Sequence, residues 1–415
     1  MKKNVLIIGA GGVGSVVAHK CAQNNHILGD ICLASRTVAK CEQIIEAVHE
    51  KGNLKDKSKR LYAKELHAEK TENVVALIRE TASEIVINVG PSFVGMPVLD
   101  ACLEAGAAYI DTSVHEDPDV LNADYSWYGE FHWKRKPLFL EKEITAILSV
   151  GFDPGVVNAY CAHALKHEFD TVDVIDILDV NAGDHGKFFA TNFDPEVNIR
   201  EVFEDAGYWE GRKWKTCPPH SRSMTCEFPT VGKHKVYLMG HDEIHSLHVN
   251  LDVDTIRFWM GFSDHYINCF QVLEKIGLLS HKPITTAEGL EVIPLKVVKA
   301  CLPDPGSLAH NYTGKTCIGN LIKGKKDGKA REIFIYNICD HQECYQEVGS
   351  QAISYTAGVP PVAAAILVAN GIWDVKKMAN VEELDPDPFL HLIDEMGLPT
   401  KINEETKNVD GKDLY

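Results

Sequence analysis

Hydrophobic positions in the first 150 residues fall into short continuous runs separated by stretches of helical period. Asn4-Val5-Leu6-Ile7-Ile8 gives way to a glycine cluster and then to a helix from Val13 to about Gln23. Ile31-Cys32-Leu33-Ala34 leads through Ser35-Arg36-Thr37 into a helix from Val38 to about Glu50. A weak strand near Leu61–Lys64, a helix near Glu72–Thr81, a buried strand at Glu84–Val89 and a helix from Gly95 to Gly106 follow. A strand at Ala108–Asp111, a helical region around Asp119–Lys134 and a strand at Ala146–Val150 complete the series. Six strands alternating with helices predict a parallel, doubly wound α/β sheet with right-handed crossovers.

From about residue 155 the rhythm changes. Val172–Asp179, Lys235–Met239, Ser246–Leu251 and Thr255–Phe262 read as strands without regular intervening helices. Thr316–Ile322 and Arg331–Ile338 flank Lys325-Lys326-Asp327-Gly328-Lys329, and Asp-Gly at such a place signals a hairpin. This part is therefore an α+β domain with a mixed or antiparallel sheet. Helical character returns at Gly349–Tyr355 and at Pro361–Asn370, with Pro361 in a first-turn position and Gly371 as a cap.

With 415 residues, the chain exceeds what one core normally supports, and two domains are expected. The boundaries follow the change of rhythm: a first domain over 1–150, completed by helices from about 348 to 400, and a second over 151–347. Two lysines precede the first apolar run, but that run is too short for a signal h-region, and Pro360–Ala369 is too short to span a bilayer. A soluble, cytoplasmic protein is expected. The 12 cysteines are scattered without a C-x-x-C pair, which reads as reduced thiols. His341-Gln342-Glu343-Cys344 lacks partners at ligand spacing, so no metal is expected. A net charge of −17 argues against nucleic acid and suits a cationic small substrate.

Gly9-Ala10-Gly11-Gly12-Val13-Gly14 matches G-x-G-x-x-G between a strand and a helix. Its first glycine permits the turn, the second lets backbone approach a pyrophosphate, and the third lets helix pack closely on strand. Free N–H groups at the helix start then bind the anion. NAD binders place a carboxylate at the end of the second strand, on the ribose hydroxyls. Here Ser35, Arg36 and Thr37 stand there instead, a guanidinium and two hydroxyls suited to a 2′-phosphate. The expected cofactor is NADP(H), with Arg36 as a solvated helix-start residue the simpler alternative.

Together with that turn, Asn88-Val89-Gly90-Pro91-Ser92, Tyr109-Ile110-Asp111-Thr112-Ser113 and Gly151-Phe152-Asp153-Pro154-Gly155 resemble the saccharopine dehydrogenase family over essentially the whole chain. The resemblance implies an NADP-binding Rossmann domain over 1–150, a substrate-binding and dimerisation domain with an antiparallel sheet over 151–347, a C-terminal helix returning to the first domain, and a homodimer formed through the substrate domains. It further implies NADPH-dependent joining of a diamine, putrescine or 1,3-diaminopropane, to L-aspartate β-semialdehyde through an imine.

The residues themselves place Asn88, Val89, Gly90 and Pro91, then Thr112 and Ser113, then Gly151, at strand ends on the carboxyl edge where such sheets bind ligands. A protonated imine accepts hydride more readily, so an acid is expected nearby. Asp117, Asp153 and His185 are the candidates. For the far nitrogen of a diamine, Asp176, Asp179, Asp184 and Glu204 are available; for a substrate carboxylate, Arg200 and Arg212. Two rival readings stay open: a saccharopine reductase or dehydrogenase, which needs several cations for a dicarboxylate, and an NADPH-binding sensor without turnover.

Overall fold

The computed structural model describes residues 3–115, 128 and 131–403. Its first layer is a seven-stranded sheet in the order β17-β6-β5-β4-β1-β2-β3. The strands are β1 (Val5–Ile8), β2 (Ile31–Ser35), β3 (Leu61–Glu65), β4 (Ile85–Asn88), β5 (Ala108–Asp111), β6 (Ala146–Leu148) and, from the far end of the chain, β17 (Met378–Asn380). All its pairings are parallel. Between them run α1 (Gly12–Gln23), α2 (Val38–Glu50), α3 (Thr71–Thr81), α4 (Gly95–Ala105) and α5 (Lys136–Glu141). β1, β2 and β4 are almost fully buried, as expected of apolar strands covered by helices on both faces. Strand order reverses between β1 and β4, which opens a crevice at their carboxyl ends.

The chain leaves this sheet at Gly151 and enters α6 (Val156–His163). A second, mixed sheet of nine strands follows, in the order β10-β11-β12-β7-β15-β16-β18, with β8 and β9 attached through β12. Its strands are β7 (Thr171–Asn181), β8 (Ala206–Glu210), β9 (Trp214–Cys217), β10 (Ser223–Phe228), β11 (Gly232–Met239), β12 (Thr255–Gly261), β15 (Lys315–Lys326), β16 (Lys329–Asp340) and β18 (Lys401–Asn403). A small hairpin, β13 (Ile284–Thr285) and β14 (Glu291–Val292), stands apart, and β7 and β12 pair in parallel. The turn between β15 and β16 has positive φ at both Asp327 and Gly328, the two-residue geometry that Asp-Gly favours. Helices α7 (Pro195–Phe203), α8 (Asp242–Asn250), α9 (Asp264–Lys275) and α10 (Pro294–Cys301) cover this sheet.

Two expectations are corrected. Ser246–Leu251 is not a strand but the last part of α8 with its cap at Leu251, because Asp242 and Glu243 favour a helix start and Ile244 and Leu247 are buried one turn apart. The two C-terminal helices are one, α12 (Ala352–Ala369), with Pro360 and Pro361 inside it. Nearly all its side chains are buried, and that packing offsets the hydrogen bonds that proline forfeits. By length and composition α12 could cross a membrane, but 83% of it is buried inside the protein. It packs on α1, and a Cβ at Gly358 would lie 2.7 Å from Val16 Cβ. α11 (His341–Val348) and α13 (Pro386–Glu395) flank it.

Successive residues of β7 point to opposite faces. Ile175 and Ile177 join the core containing Val156, Val157 and Tyr160 of α6, whereas Leu178 and Val180 join a separate core beneath. Asp176 lies on that far face. It receives Nε and Nη2 of the buried Arg257 at 2.7 and 2.9 Å and Nε1 of Trp259 at 2.8 Å. Its carboxylate is fully occupied, so Asp176 is removed from the substrate set. Breaking a buried ion pair strands the remaining charge, and Asp176→Asn should lower unfolding free energy by about 3–5 kcal/mol in denaturant titration.

Candidate active site

Gly9 has a φ of +118°, and a Cβ there would fall 2.5 Å from the Val89 carbonyl oxygen. A Cβ at Gly14 would meet the Gly9 carbonyl oxygen at 2.0 Å, which fixes both as glycine. Around Gly11, by contrast, nothing lies within 4 Å, so its backbone is open to a ligand. α1 begins with no side-chain cap and no acidic residue in its first turn. Its free N–H groups and dipole suit a pyrophosphate. The C-terminal α12 braces this turn, since a Cβ at Gly12 would touch Ser354 Oγ. Val13 is the second residue of the helix, one after Gly12.

At the end of β2, Ser35 Oγ accepts from the Thr37 N–H at 3.2 Å, and Thr37 starts α2. The Arg36 side chain is 63% exposed, with Nη1 3.4 Å from Glu69. An exposed guanidinium held only by a loose surface pair can turn to an arriving phosphate.

The ends of β4, β5 and β6 meet on the same edge. Asn88 Oδ1 accepts from the Gly90 N–H at 3.2 Å, and its amide donates to the Tyr109 hydroxyl at 3.4 Å. Val89, Gly90 and Pro91 continue from it past the glycine turn. Asp111 accepts from the Ser149 N–H and faces the buried His132 at 3.5 Å. Thr112 and Ser113 follow, half-buried, and the Thr112 carbonyl oxygen lies 3.4 Å from where a Cβ on Gly151 would stand. The Val114 N–H donates to Asp242 Oδ2 at 3.1 Å, joining this edge to the start of α8.

Where the chain crosses to the second sheet, acids gather. Asp153 follows β6, Asp179 lies in the cleft-facing row of β7, Glu201 lies on α7, and His241 and Glu243 open α8. His241 Nδ1 hydrogen-bonds Glu243, and its ring stacks on Phe258 at 3.8 Å. Asp153 and Asp179 share a hydrogen bond. Both keep partial exposure, so they line a cleft rather than being sealed. Burial, and then the Asp179 carboxyl, push the Asp153 pKa well above the usual carboxylate range. Burial likewise raises Asp179 to about 7. Burial works against a charged His241, but the carboxyls of Glu243, Asp153 and Glu201 together outweigh it and hold the pKa well above that of free histidine. Each of these groups lies within electrostatic reach of its neighbours, and a site dominated by carboxyls favours a cation.

Beyond Asp179 the cleft continues along aromatic groups. Tyr266 donates to Asn198 on α7, and its hydroxyl is within reach of both Glu201 and Tyr312. Asn181 donates to Tyr312 at 2.6 Å, and Tyr312 donates to Asn192 at 2.6 Å. His185 lies edge-on to Tyr312 at 5.4 Å, and burial lowers its pKa. His185 thus belongs to the far end of the cleft.

Other candidates fall elsewhere. Asp184 is exposed and accepts from the Gly186 N–H at 2.7 Å within its own turn. Arg212 pairs with Asp252 at 2.6 Å in the hairpin after β8, and Glu204 is exposed beyond α7. Asp117 and the side chain of Arg200 lie outside the described residues. His241, Glu243 and Glu201 were not singled out from the sequence. Their available signal was Gly240-His241-Asp242-Glu243, an acid-rich helix start directly after a strand.

Residues 5–147 match the saccharopine dehydrogenase NADP binding domain, and residues 151–398 match the saccharopine dehydrogenase C-terminal domain. The chain is 52% identical over 400 residues to a carboxynorspermidine synthase from Vibrio alginolyticus, covering 96% of this chain and 97% of that one. It is 45% identical over 396 residues to a carboxyaminopropylagmatine dehydrogenase from Synechocystis, covering 95% and 96%. Its fold is similar to that of the L-Glu-forming saccharopine dehydrogenase from Saccharomyces cerevisiae, with a TM-score of 0.71, 14% identity, and coverage of 98% of this chain and all of that one. On the strength of both matched domains and of relatives this similar over almost their full length, the chain belongs to the saccharopine dehydrogenase family.

Proposed function

We propose that the chain is a soluble, cytoplasmic NADP(H)-dependent oxidoreductase of polyamine biosynthesis. It condenses putrescine or 1,3-diaminopropane with L-aspartate β-semialdehyde and reduces the imine, giving carboxyspermidine or carboxynorspermidine. The single observation that carries this reading is the acid-lined cleft at Asp153, Asp179 and Glu201, where a diamine's ammonium groups replace water. Two relatives named for polyamine chemistry support it. A dicarboxylate substrate of the saccharopine type needs several cations, whereas the described groups that gather there are the carboxyls of Asp153, Asp179, Glu201 and Glu243 beside His241.

Gly9, Gly11, Gly12, Val13 and Gly14 hold the pyrophosphate, and Ser35, Arg36 and Thr37 the 2′-phosphate. Asn88, Val89, Gly90, Pro91, Thr112, Ser113 and Gly151 lie along the path to the nicotinamide. The bound cofactor supplies a hydride to the imine carbon. Asp153 and Asp179 take a proton from the substrate ammonium, so that the free amine adds to the aldehyde, and return it to the carbinolamine hydroxyl, which leaves as water. Holding amine and aldehyde together over one edge provides much of the acceleration. The protein is a homodimer through the substrate domain, a reading supported by the exposed apolar residues Val272, Ile276, Leu290 and Val297 of α9, the small hairpin and α10.

The test is NADPH absorbance with aspartate semialdehyde and, in turn, 1,3-diaminopropane, putrescine and agmatine. Oxidation that requires both amine and aldehyde is the expected result. Oxidation only with glutamate and an aminoadipate-derived aldehyde would instead assign the saccharopine reaction, and tight NADPH binding without any turnover would leave a sensor.

A further inference from the structure

α6 runs on from His163 into a π-turn over Ala164–Glu168. Such a turn inserts an extra residue into a helix and frequently marks a functional position. Here it sets His163 and His167 side by side, with ring centroids 4.7 Å apart. Asp387, in the first turn of α13, stands opposite both. His167 Nε2 is 2.8 Å from Asp387 Oδ1, and His163 Nδ1 is 3.7 Å from the same oxygen.

Two further observations show a preference for an ion over a plain ion pair. His163 Nδ1 is buried without a hydrogen-bond partner and stands 3.7 Å from Asp387 Oδ1, too far for a hydrogen bond. The other carboxylate oxygen, Oδ2, is held by Lys166 Nζ at 2.8 Å, and the same ammonium reaches Asp385 at 2.6 Å. Lys166 therefore fixes Asp387 with Oδ1 turned to the two rings, as a supporting residue does around a metal ligand. Two carboxylates against one ammonium leave the patch negative.

The three ligand atoms lie within 4.8 Å of one another. Bonds of about 2.0–2.2 Å to a shared ion then need only small side-chain rotations. We propose that His163, His167 and Asp387 form a binding site for a divalent transition metal of the zinc type, which clamps the end of α6 to the start of α13. Two imidazoles and one carboxylate suit such an ion, and water completes its coordination on the exposed side. Gly155 and the acid cluster lie at the opposite end of α6, so the ion takes no part in the reaction.

Full-length protein stripped with a chelator is titrated with Zn²⁺ by calorimetry, and in parallel with Co²⁺ by absorbance. One equivalent should bind, raise the unfolding temperature, and give Co²⁺ ligand-field bands without the intense thiolate band that cysteines produce. His167→Gln and Asp387→Asn should each weaken that equivalent at least about tenfold, since even loss of a supporting residue costs a metal site this much. Both positions are partly exposed, and nucleotide binding of the variants confirms folding. The metal-free enzyme should keep its turnover. Absence of the equivalent, its survival in both variants, or a thiolate band would overturn the site.

Discussion

Asp153→Asn should lower turnover by roughly 10²–10⁴-fold, the range that general acid–base groups contribute, while NADPH binding stays intact. The amide keeps the size of the carboxyl and can still hydrogen-bond Asp179, but it neither accepts nor returns a proton. Because Asp153 and Asp179 are hydrogen-bonded, they titrate as a pair. Burial raises Asp179 to about 7, so part of the catalytic proton is lost as pH climbs through neutrality. In the wild type, kcat/KM should therefore fall as pH rises through about 7, and Asp179→Asn should remove or displace that limb. Unchanged turnover in Asp153→Asn, measured in a protein that still binds NADPH, would take Asp153 out of the chemistry.

Arg36→Ala should raise the KM for NADPH roughly tenfold to a hundredfold and leave that for NADH nearly unchanged. A charge-assisted hydrogen bond contributes about 1.5–3 kcal/mol, and only NADPH carries the phosphate that would receive it. Glu69 sharpens the effect, because with Arg36 removed its carboxylate stands unopposed near the incoming phosphate. Equal changes for both nucleotides would mean that Arg36 supports the fold of the β2–α2 turn instead.

The alternating sheet is readable because its inner strands β1, β2, β4 and β5 are buried on both faces and appear as apolar runs, whereas the edge strand β3 is half-exposed and reads weakly. The glycine turn was readable for a related reason: Gly9 and Gly14 face backbone carbonyls that no side chain can approach. The acid cluster was only half visible. Asp153 and Asp179 stand beside recognisable strand ends, but His241, Glu243 and Glu201 reach them from helices far away in sequence, and no local period encodes that meeting. Asp176 shows the same limit in reverse. Three residues from Asp179 on one strand, it points to the other face, and only the neighbouring β12, which brings Arg257 and Trp259, reveals that its charge is already matched. Local propensity opposes a helix at the prolines of α12, and only the burial of nearly its whole surface overrules that preference.

After leaving the nucleotide sheet at Gly151, the chain returns to lay α12 on α1 and add β17 beside β6, then goes back to pair β18 with β16. Lys20, buried in α1, donates to Tyr355 at 2.7 Å and to the Met396 carbonyl at 2.8 Å, fastening the returning segment. During synthesis, the nucleotide half emerges first but stays incomplete, with one sheet edge and one flank of α1 uncovered until the returning segment leaves the ribosome. Expressing that half alone should yield an aggregation-prone fragment, and supplying the returning segment in trans should restore its solubility.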